Sequence, residues 1–329
     1  MYGKVTAILV LLALCAAAYG FGEESEVNEN PFTVFIPLGY DLIHLKDQTI
    51  HSPAGGVGFM IGKQNLPFTE VKRRFFGLAL YQPFIFTETP APGMPKLYHE
   101  IGGLFDGRIN RHQLLLIFKT SSDRPIAGGL HTFQIGGGWG YELIRRPHVS
   151  LILGLVLGVS DFGDMLSVDA TVPVLPLPLI RFGIDTKWFV SSFDFITGPN
   201  FTFTVAPKSK IRLTGDMRMD EFRSVDDLIY EFTLWYRLFD SGHKLGDFAG
   251  IGVGFKNDVK DFALSDRKIQ AETSGLQQRS VFAVFDLSVV MIQGGWVFDS
   301  SYLFDGKKSG NPGRGFFLSV NGMIPVISR

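Results

Sequence analysis

The side chains in this sequence whose types and spacing could act on a solute are charged ones: Glu142, Arg212, Asp216, Arg218, Asp220, Glu231 and Arg237. Between Lys208 and Phe222 they alternate with apolar residues, so that Ile211, Leu213, Met217 and Met219 share one parity and Arg212, Thr214, Asp216, Arg218 and Asp220 the other. Successive side chains of an extended chain point to opposite faces, so the segment offers one greasy face and one charged face. Charges of both signs facing an enclosed space can pair with one another and fill it. They can equally set a local potential that sorts passing solutes. Asp286 joins the same group from another segment, and the residues alone leave both uses open.

Other chemistries find less support. The run Gly136-Gly137-Gly138-Trp139-Gly140 superficially resembles a phosphate-binding loop. It lies inside an alternating segment, not between a strand and a helix, and so reads as glycines that let a strand bend or a neighbour come close. A lipid-acting enzyme could use His99, His112, His131, His148 or Ser150. None stands at a spacing that brings a nucleophile and a base together or builds a metal site, and no catalytic residue, metal or cofactor is expected. Lys and Arg number 31 against 32 Asp and Glu, a balance that argues against nucleic acid as a partner. Cys15, the only cysteine, falls in the N-terminal apolar stretch; a lipid acceptor there is disfavoured by the bulky Leu14 before it.

The elements that must position these charges are strands. In Ser224–Phe239, Leu228, Tyr230, Phe232, Leu234, Tyr236 and Leu238 alternate with Glu231, Thr233 and Arg237. Leu130–Arg145 and then Val149–Ser160 repeat the pattern across the break Arg145-Arg146-Pro147. Charged residues are 19% of the chain, below the roughly 25% of soluble domains, while 46% are hydrophobic, so apolar surface is in excess. With no long helices to bury it, the period-2 pattern predicts an all-β, antiparallel transmembrane barrel. A soluble β-sandwich or lipid-binding barrel would have to hide the same face in a core. Spans of about ten residues imply about 12 to 16 strands, with about 14 as the best figure.

Within Leu166–Ile184, Pro173, Pro176 and Pro178 point to a loop, a plug segment or an irregular strand. The polar stretch Asn257–Arg279 reads as the longest loop, and Lys256–Gln278 as the place where an adhesin-type surface would lie. Trp139, Tyr141, Trp235, Tyr236 and Trp296 are expected near the membrane interfaces or in the packed wall. Residues 1–20 carry Lys4, the apolar run Val5–Ala13 and a small-residue end, the features of a signal peptide. An acidic arm follows at 21–31, and 32–329 form one barrel domain.

A leader, repeated amphipathic spans and a final apolar face of Phe316, Leu318, Val320, Ile324 and Val326 together resemble bacterial outer-membrane β-barrel proteins as a class. The end, Ile327-Ser328-Arg329, departs from the aromatic terminus common in that class. The resemblance implies a location in the outer membrane, with outer-membrane lipid and the barrel-assembly machinery as partners. It implies passive passage or binding of small solutes, or, failing an open lumen, a closed barrel acting through its extracellular loops.

Overall fold

The computed structural model describes residues 32–62, 73–88, 94–125, 132–160, 174–195, 198–219, 228–239, 249–265, 273–287 and 289–328. The proposed leader, the acidic arm and Asp220 lie outside these residues. The strands are β1 (Phe32–Leu45), β2 (Gln48–Ile61), β3 (Arg73–Phe86), β4 (Leu97–Ile109), β5 (His112–Ser122) and β6 (Phe133–Arg146). They continue with β7 (Val149–Ser160), β8 (Val174–Asp185), β9 (Phe189–Phe195), β10 (Pro199–Val205), β11 (Ile211–Arg218) and β12 (Ile229–Arg237). Last come β13 (Ala249–Ala263), β14 (Thr273–Leu287), β15 (Val290–Phe304), the four-residue β16 (Lys307–Gly310) and β17 (Gly315–Ser328).

Each strand pairs antiparallel with the next, β15 pairs with β17, and β17 pairs back to β1 from Leu45↔Gly315 to Thr33↔Ser328. Apart from β16, which only extends the β15 edge, the wall is a closed ring of 16 strands. That corrects the best figure of about 14. The difference arises where alternation is weak: β8 falls within Leu166–Ile184, whose prolines leave a loop, a plug segment or an irregular strand open, and β9 and β10 are only seven residues each. Closure gives every strand of the ring a partner on both sides, the arrangement a strand structure needs in hydrocarbon.

The faces sort by parity. Leu114, Leu116, Ile135, Trp139, Leu153, Leu155 and Leu157 point outward on neighbouring strands, each 40–52% exposed. A contiguous apolar face of this extent is a liability in water and a match for lipid. No helix among the described residues is long and apolar enough to cross a membrane, and the strands do the crossing. The chain is a transmembrane β-barrel of the outer-membrane type.

Pro176 and Pro178 belong to a strand after all. They sit where β8 pairs with β7 alone, since its pairing with β9 starts only at Ile180. A strand with one open edge can accommodate residues that lack an N–H donor.

The inward glycines of β6 and β7 make a tight corner. Gly138 and Gly140 lie beneath Val156, Ile152 and Leu179, so that side chains of β7 and β8 meet over the β6 backbone and bury Leu115, Ile152, Val156, Leu177 and Leu179. At Gly154 a Cβ would come within 2.1 Å of the Trp139 carbonyl oxygen and 2.5 Å of the Gly140 Cα. Backbone cannot swing aside as a side chain can. Gly154→Ala is therefore expected to cost about 1–3 kcal/mol of barrel stability. Gly102→Ala, where nothing lies within 4 Å, is expected to be close to neutral. Denaturant titration of the refolded barrel compares the two, and equal midpoints would remove the corner from the account.

Candidate functional site

The site is the lumen, and a β-hairpin crosses it. β12 accompanies β13 only from Arg237↔Gly250 to Tyr230↔Asn257, and β17 accompanies β15 only as far as Val297. Beyond those points β13, β14 and β15 continue as a sheet of their own. A register shift at Arg279/Ser280, opposite Phe298, marks the departure, and a bulge bends a strand in this way. The end of β13 then pairs in parallel with β5 at Ala263↔Ser122. β5 and β13 are eight strands apart, half of the circuit, so the hairpin spans the barrel as a bar.

Side chains fix the bar at its far side. Ser121 Oγ donates to the Asp261 carbonyl (3.0 Å), and Asp123 accepts from Ser265 N (2.8 Å) and Ser265 Oγ (2.7 Å). Underneath, Phe262 stacks on Tyr98 with ring centres 4.3 Å apart and meets Phe84 edge-on at 5.1 Å. Tyr98 is fully buried and its hydroxyl bonds Ser274 Oγ at 2.9 Å. Ile50, Phe86, Met94, Leu264, Leu276 and Tyr302 complete this cluster. An apolar cluster inside a lumen anchors the hairpin, each large side chain contributing about 1.5–3 kcal/mol of burial.

Two cavities flank the bar. One, of about 360 Å³, is lined by Glu100 and Lys119 from β4 and β5, Asn200 and Arg218 from β10 and β11, and Lys260 and Asp261 from the bar. The other, of about 280 Å³, lies against β1–β3, β15 and β17 and is lined among others by Asp41, Gln82, Glu231, Lys256, Asp258 and Gln293. Lys260 and Phe262 line both. Each face of the hairpin mixes charged and apolar residues, Asp258, Lys260 and Phe262 on one parity and Val259, Asp261 and Ala263 on the other, which is why Asn257–Arg279 reads as a loop. Most of it is strand, β13 to Ala263 and β14 from Thr273, with only 264–272 between them.

The residues expected to face the interior fall on several walls. Arg212, Asp216 and Arg218 lie on β11 with the parity opposite to Ile211 and Leu213, which are 59% and 37% exposed outside. Across the ladder Asp216 pairs in register with Glu231 and Arg212 with Trp235, which puts Glu231 and Arg237 on the same inner face of β12. Glu231 is near the Gln293 amide, Nε2 to Oε1 3.4 Å, while Lys256 donates to Gln293 Oε1 at 2.9 Å. Arg237 donates to the Pro207 carbonyl at 3.0 Å. Glu142, on β6, is nearly buried and accepts from Arg145 Nε at 2.7 Å. It stands apart from the β11–β12 group.

A second charged patch emerges from residues that show no local clustering in the sequence. Arg181 on β8 donates through Nη1 to Asp106 Oδ2 (2.7 Å) and through Nε to Asp194 Oδ2 (2.9 Å). Asp106 also accepts from Gln113 Nε2 at 2.8 Å, with Arg74 4.0 Å away. One arginine on β8 thus ties β4 to β9. Among the described residues no group of His, Cys, Asp or Glu stands where it could hold a metal ion.

Of the aromatic residues expected at the interfaces, Trp139, Tyr236 and Trp296 are 47–52% exposed on the outer face. Trp139 and Tyr141 both lie against the His112 ring, at 5.6 and 5.3 Å. Trp235 is the exception. It faces inward, donates from Nε1 to Thr214 Oγ1 at 2.9 Å, and lies under the Arg212 guanidinium at 5.5 Å.

Neither a protein-family model nor a curated protein sequence matches the chain. Solved structures do match along its length. OpdQ of Pseudomonas aeruginosa is 11% identical with a TM-score of 0.38, covering 92% of this chain and 100% of its own. OccAB3 of Acinetobacter baumannii is 8% identical with a TM-score of 0.37, covering 91% and 100%. OprD of Pseudomonas aeruginosa is 10% identical with a TM-score of 0.36, covering 90% and 96%. Likenesses this loose assign neither a family nor a solute. What the barrel can do follows from its own lumen: charged side chains of both signs line two cavities, and any through-path must pass the bar.

Proposed function

We propose that this chain is a narrow, charge-lined channel that passes small solutes across a bacterial outer membrane. The observation that carries the reading is the cavity of about 360 Å³ beside the bar, whose lining includes Glu100, Lys119, Asn200, Arg218, Lys260 and Asp261. Polar and charged side chains around a lumenal space are what solute selection by local potential requires. Glu142, Arg212, Asp216, Arg218, Asp220, Glu231 and Arg237 act in this reading as the wall charges that bias permeation. In the same reading residues 1–20 export the chain and the assembly machinery inserts the barrel into lipid.

A closed barrel acting through its loops is the second reading. The apolar cluster around Tyr98 favours it, because that cluster occupies lumen that an open pore would leave to water.

Planar-bilayer recording of the refolded chain decides between them. A channel gives stepwise, ion-selective conductance, and stable insertion with no steps would overturn it in favour of the closed barrel. Reversing the wall charges together, Arg212→Glu, Arg218→Glu and Arg237→Glu, is expected to move the permeability ratio several-fold toward cations. An unchanged ratio would take those three residues out of the path.

A further inference from the structure

We propose that Lys260 is the specificity-determining residue of this channel, a single cation placed where two parallel passages share a wall. The inference rests on the channel reading above and deepens it. Most of the residues around each cavity belong to that cavity alone: Lys119 and Asn200 to the larger, Gln82 and Gln293 to the smaller. Lys260 and Phe262 belong to both. Phe262 is 1% exposed and locked in the aromatic cluster, so Lys260 is the shared residue that can meet a solute.

The topology produces this arrangement. While a strand stays in the wall, only one of its faces sees the lumen. Past Asn257, β13 has left β12 and runs through the interior, so residues of both parities border lumenal space. Val259 and Asp261 border the larger cavity, and Asp258 the smaller. Lys260 has the parity of Asp258, yet its flexible stem lets the ammonium reach the edge that both cavities touch. The Phe84 ring lies 5.6 Å from its Nζ, and Asp258, Glu100 and Asp41 are the carboxylates that act on it electrostatically. Wall charges such as Lys119 act on one passage only. The charge on the bar acts on every solute, whichever side it takes.

Thiol labelling tests this directly, because Cys15 is the only cysteine and Cys15→Ser gives a clean background. The full chain would carry Lys260→Cys, Lys119→Cys or Gln82→Cys, and be recorded before and after methanethiosulfonate reagents bearing an ammonium or a sulfonate. Lys260→Cys is expected to shift the permeability ratio several-fold toward cations. The ammonium reagent should restore it, and the sulfonate reagent should move it further the same way. A bulky reagent at Lys119→Cys or Gln82→Cys is expected to lower conductance only about two-fold, since the other passage stays open, and both together should close the channel.

If the background chain conducts and labelling of Lys260→Cys leaves the ratio unchanged, the proposal falls while the channel reading stands. Full block from labelling at Lys119→Cys alone would show a single passage and also overturn it. If the background chain inserts and never conducts, the channel reading itself has failed. Should Lys260→Cys not refold, Lys260→Met asks the same question of the permeability ratio.

Discussion

Excising residues 258–278 and joining Asn257 to Arg279 through an Asn-Gly turn is expected to raise single-channel conductance several-fold and to lower ion selectivity with it. The excised segment is the bar. Asn257 and Arg279 are already register partners, and a two-residue Asn-Gly link is the preferred closure for strands so placed. The wall should survive, since β13 keeps its pairing with β12 from Gly250 to Asn257, and β14 keeps β15 from Ser280 to Asp286. Removal of Phe262 and Leu276 leaves Phe84, Phe86 and Tyr98 facing water, and the lost burial of about 1.5–3 kcal/mol per large side chain should lower the melting temperature. Two opposite effects, a wider pore and a weaker barrel, are thus expected from one excision. Unchanged conductance in an inserted variant would mean that the bar does not limit passage.

The same hairpin marks the boundary of what the sequence makes legible. Where a strand separates lipid from lumen, the two environments write a period of two, and Tyr230, Phe232, Leu234 and Tyr236 against Glu231, Thr233 and Arg237 stand as that pattern places them. Where β13 and β14 pass through the lumen, each face meets polar lining at some residues and the aromatic cluster at others. Alternation then fades and polarity imitates a loop.

Trp235 is a different case, because the signal is present. It shares parity with Glu231 and Arg237, and two neighbours on a strand cannot both face lipid, so parity alone puts it inside if Tyr236 is outside. Of the charged residues, those on β11 and β12 are dense enough to be noticed. Asp106, Arg181 and Asp194 come from three separate strands, and only the fold of the barrel brings them together.

A stability effect that tests the charge lattice is expected at Arg181. Its guanidinium holds two carboxylates near enough to repel each other: Asp106 with its side chain 10% exposed, and Asp194 at 28%. Loss of one partner from a buried ion pair costs about 3–5 kcal/mol, because the charge left behind has neither water nor a counterion. Here water reaches part of the cluster, and Gln113 and Arg74 still face Asp106, so a smaller figure applies. Arg181→Leu is expected to destabilise the barrel by about 2 kcal/mol. Adding Asp106→Asn and Asp194→Asn to that variant should recover most of the loss, since both stranded charges go. Arg181→Lys should fall between, because one ammonium cannot reproduce two separately directed guanidinium contacts. Denaturant unfolding of the four proteins in lipid vesicles orders them. A triple variant no more stable than Arg181→Leu would show that the arginine contributes packing, and that the charge lattice does not hold β4 to β9.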